Sequence, residues 1–384
     1  MHTPLIRQGN IDSLTGFRFV AAMMVFFSHY AIPGVTGTAL RVTESGYAGV
    51  TLFFVLSGFV IAYNYLERFE EGMTGQTVGA YFAARLARLY PLYICFIAFG
   101  WLVKGSSTIP WAHILAVQTW SPDAEFATSI NGPAWSIGVE VFLYLAFPLL
   151  LPVLIWLRAL SSLRRLSVAT ALVSVAMLCA ALYFALSGQN ALPYQDPTSG
   201  HRWLYRTPAT RLGDFLLGIF GAVYVMRFAK TDRATIRRWG FVTLCAALLL
   251  LLLLATRKNY RSAFSWDVAY ALPGILLIVG LAINRGTLFS RALASPALVL
   301  LGEASYAFYL VHVPARPLRA GTEGGLPFEL ALYVMFLGLV IALSIGLHIA
   351  VEKPARRWVR AWLTPRPRTP AAVQERGPAQ AETR

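Results

Sequence analysis

The stretch Gly240-Phe-Val-Thr-Leu-Cys-Ala-Ala-Leu-Leu-Leu-Leu-Leu-Leu-Leu-Ala255 contains no charged side chain. Apolar runs of this kind recur along nearly the whole chain, and at about 1.5 Å per helical residue they are suited to a hydrocarbon layer of about 30 Å. In lipid every backbone amide must find an internal partner, so such runs form helices or barrel strands. Because the runs are continuous and rich in Leu and Ala, and do not alternate with polar residues, they predict helices.

The composition agrees with a chain that lies mostly in lipid. Of its 384 residues 57% are hydrophobic and 13% are charged, and the mean hydropathy is +0.58. Soluble domains keep roughly a quarter of their residues charged. The sequence therefore predicts an all-α, polytopic integral membrane protein with about ten transmembrane helices. The predicted spans are 17–32, 47–66, 89–103, 134–157, 168–186, 209–227, 240–255, 268–283, 297–313 and 328–351.

The distribution of basic residues predicts the orientation. With the N-terminus inside, the inner connections carry 18 Lys and Arg and the outer connections carry nine. This bias is typical of the positive-inside rule, and it explains the net charge of +15 without a nucleic-acid partner. Both termini are therefore expected in the cytoplasm, with connections 104–133 and 188–208 outside. Residues 364–384, rich in Pro, Ala and Arg, are expected to form a disordered cytoplasmic tail.

Ionisable residues within membrane helices are costly and indicate function. Arg18 and His29 lie eleven positions apart in the first span, so they share one helix face and are separated by about 16 Å along the axis. Glu140, in the fourth span, is expected at the depth of His29, where a carboxylate can orient an imidazole as in acyl transfer. The alternative is that Glu140 pairs with Arg211 or caps a helix end.

Further polar residues extend this pattern. Arg211 and Asp214 are one turn apart and are expected to form an internal ion pair. In the ninth span a polar stripe favours a cavity over a lipid-facing surface, because its members share one helix face. In steps of 3, 4 and 3 residues, the stripe consists of Gly302, Ser305, Tyr309 and His312. Whether His312 takes part in chemistry or in binding stays open.

Two further arginines precede the third span. Arg85 and Arg88 lie on adjacent turns if this segment is helical, at the membrane level of Arg18. Three guanidinium groups at one cytoplasmic mouth favour a phosphate-bearing donor, since their geometry matches phosphate oxygens. Ordinary anchoring by basic residues is the alternative. The three cysteines lie in apolar runs without ligand spacing, so neither a metal site nor a disulfide is predicted.

Taken in order, these motifs resemble the acyltransferase-3 family of bacterial membrane O-acyltransferases. The matching blocks are Arg18 to His29, Leu52-Phe-Phe-Val-Leu-Ser-Gly-Phe59, Arg85 to Pro91, Trp135-Ser136 with Glu140, Leu301 to Pro314, and the closing Glu352-Lys-Pro354. Two positions depart from the common pattern. Thr51 stands where many members carry an acidic residue, and Thr15 stands where the commonest first motif has an arginine. Neither departure changes the histidine or its spacing from Arg18.

The resemblance implies that residues 1–363 form a transmembrane acyltransferase domain of the bacterial inner membrane. It implies that Arg18 and His29 are essential and that Arg85 and Arg88 belong to the basic segment of the family. The donor is an acyl-CoA such as acetyl-CoA, which enters from the cytoplasm as a co-substrate, and no bound cofactor is expected. The acceptor is a hydroxyl, usually on a surface or exported polysaccharide or glycolipid. The expected partners are membrane lipid, acyl-CoA and this glycan.

These residues together predict a mechanism. Arg18, Arg85 and Arg88 hold the CoA phosphates, and the pantetheine arm spans the distance to His29. His29 then acts as general base or briefly carries the acyl group, and Glu140 orients it. The residues expected to bind or support the acceptor are Trp135, Ser136, Ser305, Tyr309 and His312.

Two alternatives remain at this stage. One is a transporter or flippase for a glycan lipid or an anion, although the sequence shows neither an internal repeat nor paired broken helices. The other is an acyltransferase that acts on a small molecule such as a macrolide. The sequence leaves the acyl chain, the acceptor and the oligomeric state open.

Overall fold

The computed structural model of the protein describes residues 11–105, 107–229, 232–256, 261–316 and 325–363. Every regular element in these ranges is helical, which confirms the all-α class. The α-helices are α1 Asp12–His29, α2 Gly37–Glu44, α3 Ala48–Glu71, α4 Gly75–Lys104, α5 Trp111–Ile114, α6 Ala124–Thr128, α7 Trp135–Trp156, α8 Leu163–Leu186, α9 Leu212–Val223, α10 Arg233–Ala255, α11 Ala263–Trp266, α12 Val268–Ile283, α13 Leu288–Leu293, α14 Pro296–Glu303, α15 Ser305–Val311, α16 Leu326–Leu347 and α17 Lys353–Leu363. Short 3-10 helices span Ser45–Tyr47, Gln118–Trp120, Gly132–Ala134 and Gln189–Ala191, and π-helical turns span His201–Arg206, Tyr224–Phe228 and His348–Glu352.

Six helical segments of the described chain are long and apolar enough to cross a membrane. They are Gly37–Glu71, Gly75–Lys104, Gly132–Trp156, Leu163–Leu186, Arg233–Ala255 and Leu326–Val359. The other four predicted spans coincide with α1, α9, α12 and the pair α14–α15, which are shorter, interrupted or more polar. The structure is therefore that of a multi-pass membrane protein, and the total of about ten crossings stays a prediction.

The start of the third span differs from the prediction. The span begins at Gly75, not at Leu89, because Thr74 caps α4 by accepting a hydrogen bond from the Thr77 amide at 3.2 Å. Arg85 and Arg88 lower the local hydropathy but are good helix formers, so they lie inside the helix. Hydropathy marks where a helix enters lipid, and helix propensity and capping decide where it begins.

Two predicted spans are interrupted or extended. The ninth is broken at Ala304, where α14 ends and α15 begins. The tenth continues through the π-helical turn His348–Glu352 into α17, which ends at Leu363. The predicted tail, residues 364–384, lies outside the described residues.

Helix α3 is the innermost of the long helices. Of the most apolar 18-residue stretch in the α3 segment, 78% is buried inside the protein. The corresponding share is 11% for α8 and 17% for α10. It packs against α1, α9 and α12. The leucine-rich surfaces of α8 and α10 therefore face outward, where lipid covers them, and the polar side chains of α1 and α3 are left to the interior.

Close contacts at two glycines position α1. A Cβ atom on Gly46 would lie 1.9 Å from the carbonyl oxygen of Met24, and one on Gly302 would lie 1.9 Å from that of Thr15. Neither contact leaves room for a side chain. The two glycines thus allow neighbouring backbone to approach α1 near both of its ends, as small residues do in membrane helix packing.

Candidate functional site

Two histidines from different helices meet at one end of α1. His29 is the last residue of α1, and His312 directly follows α15. His29 Nδ1 lies 2.8 Å from His312 Nε2, and the ring centroids are 5.0 Å apart. The contact exists because α1 and α15 pack together. His312, whose role the sequence left open, is therefore the direct partner of His29.

The backbone at Tyr309 determines where the protons of this pair lie. His312 Nδ1 is 2.8 Å from the Tyr309 carbonyl oxygen, which can only accept, so Nδ1 carries the proton. In a neutral imidazole the other nitrogen of His312 is then an acceptor, and it receives the Nδ1–H of His29. His29 Nε2 is left unprotonated, which is the state that a general base requires.

The two rings differ in accessibility. His312 is only 1% exposed, and its ring packs against Phe26 and Phe308 at centroid distances of 6.5 and 6.3 Å. The Tyr30 hydroxyl donates to the backbone carbonyl of His312. His29, in contrast, is exposed toward a cavity. The arrangement is that of a fixed orienting ring beside an accessible base.

A cavity of about 780 Å³, which we call the His29 cavity, opens beside this residue. Part of its wall comes from residues 124–133 and 190–206, that is, from the connections 104–133 and 188–208, which the sequence predicts to lie outside. Trp135 belongs to this wall, and its ring lies 5.0 Å from that of Tyr205. The volume is within the range of about 300–1,000 Å³ that small-molecule sites occupy.

A smaller cavity of about 180 Å³, the Arg18 cavity, lies further along the same helix. Its charged wall residues in the described chain are Arg18, Arg88, Arg356, Glu140 and Glu303. Three guanidinium groups and two carboxylates thus share this wall.

Two residues, Val50 and Tyr309, belong to the walls of both cavities. The Tyr309 hydroxyl is hydrogen-bonded to Ser136 Oγ at 2.8 Å, which holds its ring between them. We call Val50 and Tyr309 the partition. Arg18 and His29, on one face of α1, therefore belong to cavities on opposite sides of this partition.

The structure does not bring Glu140 to His29. Glu140 Oε1 accepts hydrogen bonds from Ser57 Oγ at 3.1 Å and from the Tyr144 hydroxyl, and it lies in the wall of the Arg18 cavity. The prediction that Glu140 orients His29 is therefore corrected, since His312 takes that place. The sequence gives the depth of a side chain in a helix, but not its lateral position among the other helices.

The structure also separates the two arginines of α4. Arg88 lines the Arg18 cavity and Arg85 does not. The Arg85 guanidinium lies 5.2 Å from the ring centroid of Tyr65 and 5.7 Å from that of Tyr144, and it donates to the Tyr65 hydroxyl at 3.4 Å. The predicted donor site therefore loses Arg85, because a step of three residues turns side chains about 60° apart on a helix.

Ser136 and Ser305, predicted to support the acceptor, line the Arg18 cavity. Ser305 Oγ donates to the Gly302 carbonyl oxygen at 2.8 Å, so its hydroxyl proton is engaged across the break between α14 and α15. Ser136 Oγ is also 3.0 Å from the Pro133 carbonyl oxygen. Both serines thus face the Arg18 side of the partition, whereas Trp135 faces the other side.

Arg211 and Asp214 form a fully buried ion pair, with Nε 3.2 Å from Oδ2. Arg211 also donates to Thr51 Oγ1 at 2.6 Å and to two backbone carbonyls, those of Leu204 and Trp266. Thr51, where many family members carry an acidic residue, thus still contacts this arginine. Because neither member of the pair lines either cavity, its place in the fold is structural.

Some wall residues were not recognised in the sequence as site residues. Arg356 of α17 lines the Arg18 cavity, and its neighbour Glu352, 3.9 Å away, belongs to the closing motif that could have indicated it. Arg206, Arg261 and Arg316 line the His29 cavity, although they were counted only for topology. Their signal was that they lie in connections predicted to be outside, where the positive-inside rule favours few arginines.

Comparison with known proteins identifies the family. The family model of acyltransferase-3, described as an acyltransferase domain, matches residues 11–349. "Acyltransferase MdmB" from Streptomyces mycarofaciens is 30% identical over 383 residues, which cover 90% of this chain and 92% of that protein. "Putative O-acetyltransferase SACOL0978" from Staphylococcus aureus (strain COL) is 24% identical over 323 residues, 79% of this chain, and the aligned part is 50% of that longer protein. No solved structure matches the chain.

The matched residues include the histidine pair, the whole described wall of the His29 cavity and all of the Arg18 cavity except Arg356. The resemblance that the sequence motifs indicated is thereby confirmed over most of the chain. The described part is helical, and six of its segments are suited to crossing a membrane. The chain therefore belongs to the acyltransferase-3 family of membrane O-acyltransferases.

Proposed function

We propose that the protein transfers an acyl group, acetyl in the simplest case, from cytoplasmic acyl-CoA to a hydroxyl of an exported or cell-surface polysaccharide or glycolipid. Its place is the inner membrane of a bacterium. The observation that carries the proposal is the histidine pair, which opens to one cavity while an arginine-lined cavity lies across the partition. A transferase whose substrates come from opposite sides of a membrane needs such a pair of cavities.

On the donor side, Arg18, Arg88 and Arg356 hold the phosphates of acyl-CoA, because guanidinium groups pair with phosphate oxygens in a bidentate manner. The nucleotide stays at the mouth, and the narrow pantetheine arm enters the Arg18 cavity. The rise of about 16 Å between Arg18 and His29 matches an extended arm. Glu140 and Glu303 in the same wall balance part of the arginine charge when no phosphate is bound.

On the acceptor side, the hydroxyl group binds in the His29 cavity, where Trp135 and Tyr309 contribute wall surface. His29 Nε2 takes the hydroxyl proton while the oxygen attacks the thioester carbonyl carbon. An ester C–O bond forms, the C–S bond breaks, and the CoA thiolate receives the proton from His29. His312 holds the ring of His29 through the Nδ1–H throughout. A route in which His29 first takes the acyl group needs the same unprotonated Nε2.

Thioester turnover tests this proposal. Purified full-length protein in detergent receives acetyl-CoA and an extract of the surface glycan, and both CoA thiol release and the acetylated glycan are measured. Wild type is expected to release thiol in proportion to the ester formed. His29→Ala should lower this rate by about 10²- to 10⁴-fold, as the loss of a general base does.

His113→Ala is the matched control. This histidine lies in α5, lines neither the Arg18 nor the His29 cavity, and has Nε2 3.1 Å from the Phe126 carbonyl oxygen. It should keep the transfer rate. Turnover that does not depend on His29 contradicts the assigned base, and movement of a glycan lipid across vesicles without consumption of acetyl-CoA favours the transporter.

A further inference from the structure

Arg206 has no role in the reaction described above. It ends the π-helical turn His201–Arg206 and is only 2% exposed. None of its guanidinium nitrogens has a hydrogen-bond partner among the described residues. Its carbonyl oxygen accepts from Thr119 Oγ1 at 2.9 Å, so its main chain is held in place. A buried guanidinium without a partner is costly, because nothing replaces the water that it has lost.

The surroundings of Arg206 are positively charged. Arg206 belongs to the wall of the His29 cavity together with Arg261 and Arg316. Arg316 lies within electrostatic reach of His29. Among the described wall residues Glu44 is the one carboxylate. The cavity that holds the base therefore carries a surplus of positive charge.

The charge on Arg206 persists at neutral pH. Burial, and then the nearby charge of Arg202, lower the pKa of Arg206 to about 10, so the guanidinium stays protonated. Burial, followed by the charges of Arg206 and Arg261, lowers the pKa of His201 to about 3, so this ring is neutral. Asp123 is within electrostatic reach of Arg206, but its Oδ1 accepts from two backbone amides of α6 at 2.8 and 3.1 Å. The Asp123 carboxylate is thus hydrogen-bonded to the start of α6 and not to Arg206.

We propose that the His29 cavity binds an acceptor that carries an oxyanion, a carboxylate or a phosphate, and that Arg206 pairs with this group. The proposal rests on the proposed function, because it names the acceptor class for the same cavity. An oxyanion supplies the partner that Arg206 lacks, and guanidinium geometry suits it. It also explains why three arginines lie on the side that the positive-inside rule disfavours. Anchored at Arg206, the acceptor turns a hydroxyl of the same molecule toward His29.

Ligand binding without any acyl donor tests this proposal. Purified full-length protein in detergent is titrated at constant ionic strength with glucuronate, glucose 6-phosphate, micelle-borne phosphatidic acid and neutral glucose. The midpoint of thermal unfolding reports binding, since a ligand stabilises the state that it binds. At least one anionic probe should raise the midpoint, and glucose should not. The active probe distinguishes an acidic sugar, a sugar phosphate and a lipid phosphate as the source of the oxyanion.

Arg206→Gln should weaken the binding of that probe by about 10- to 100-fold, as the loss of a charged hydrogen-bond pair does. Arg202→Gln is the matched control, because that guanidinium stacks on Trp203 at 4.2 Å and does not line the cavity. If the Gln variant does not purify, Arg206→Lys keeps the charge without the bidentate geometry and should weaken binding by about threefold or more.

Two results overturn the proposal. One is that no anionic probe stabilises the wild type, and the other is that the Arg206 variant binds the probe as tightly as the wild type. Because no thioester is present, these results are independent of the transfer reaction. If an anion binds in a manner that depends on Arg206, this proposal is supported even when acetyl-CoA is not consumed. A lack of thioester turnover contradicts only the proposed function.

Discussion

The proton on His312 is positioned by the main chain of Tyr309, and no acidic side chain among the described residues contributes to this. A carbonyl oxygen does not titrate in the physiological range, so the tautomer of the pair does not depend on a neighbouring acid. A carboxylate in that position would place a full charge in a site where charge is costly to bury. A neutral partner therefore orients His29 without adding a buried charge beside the cavity.

The first prediction concerns His312. His312→Ala should lower the transfer rate by roughly 10- to 100-fold, the usual loss when an orienting partner is removed. His312→Gln should retain more activity, because its amide oxygen can accept the Nδ1–H of His29. The double variant with His29→Ala should be no slower than His29→Ala alone, since the two rings act as a unit. Initial rates with acetyl-CoA measure all three, and an additive loss in the double variant contradicts the coupling.

The second prediction separates Arg88 from Arg85. Arg88→Ala should weaken CoA binding by about tenfold or more, because a charge-assisted phosphate contact is lost. Arg85→Ala should leave the CoA affinity nearly unchanged and lower the unfolding midpoint, since its contacts are with the rings of Tyr65 and Tyr144. Calorimetric titration with CoA and thermal unfolding provide the two readouts. If both variants lose CoA affinity equally, Arg85 also contributes to donor binding.

At the scale of elements, α1 is the part that the chemistry depends on most. It carries Arg18 and His29, so its position relative to α15 sets the distance between His29 and His312. That position is fixed where backbone touches α1 without intervening side chains, at Gly46 and Gly302. The proposed reaction therefore requires small residues at these contacts, although neither glycine lines the Arg18 or the His29 cavity.

The third prediction follows from this contact. Gly302→Ala places a methyl group 1.9 Å from the Thr15 carbonyl oxygen, so α1 and α14 must separate. Overpacking of this kind costs about 1–3 kcal/mol, and it should lower both the unfolding midpoint and the transfer rate. Gly338→Ala is the matched control, because no atom lies within 4 Å of its added Cβ. A Gly302 variant with wild-type stability and rate would show that this contact does not position α1.

The helices themselves could be predicted from the sequence, and the interruptions could not. Each of the ten apolar runs is mainly helical, because a backbone in lipid must satisfy its hydrogen bonds within the run. The break at Ala304 and the early start of α4 at Gly75 depend on local caps and tertiary contacts, which hydropathy does not contain. The sequence therefore predicted correctly that the apolar runs are helical. It did not predict where capping and contacts between helices interrupt or extend them.

The same limit applies to the site. The shared face of Arg18 and His29 follows from helical periodicity, which one sequence contains. The contact between His29 and His312 joins residues 283 positions apart, and it depends on how α1 and α15 pack. Glu140 was assigned to His29 because depth along a helix can be counted, whereas its true partners, Ser57 and Tyr144, depend on lateral packing.

At the scale of the whole molecule, the two cavities imply two entrances. The wall of the His29 cavity is built partly from connections 104–133 and 188–208, and Arg18 lies at the other end of α1. The proposed function requires that acyl-CoA reaches Arg18 from the cytoplasm. The orientation derived from the basic residues is consistent with this requirement, since it places the N-terminal end of α1 inside.

The fourth prediction tests the orientation. In a variant whose natural cysteines Cys95, Cys179 and Cys245 are replaced by serine, single cysteines are introduced at three positions outside the long apolar runs. The positions are Asp123, Gln195 and Arg233. An impermeant thiol reagent added to intact cells should label the first two and not the third. Labelling at the third position without labelling at the first would show that the orientation is the reverse of the predicted one. The two cavities would then open to the opposite sides of the membrane from those proposed.

The partition of Val50 and Tyr309 also has an electrical consequence. When water fills the cavities on both sides, the insulating thickness at this point shrinks from about 30 Å to a single layer of side chains. Most of the membrane voltage then falls across that layer, at about 2.3 kcal/mol per elementary charge for each 100 mV. In the proposed reaction the acyl group moves outward across this layer as the hydroxyl proton moves inward to the thiolate. No net charge crosses, so the voltage acts on the charge-separated states along the path and not on the overall free energy of acylation.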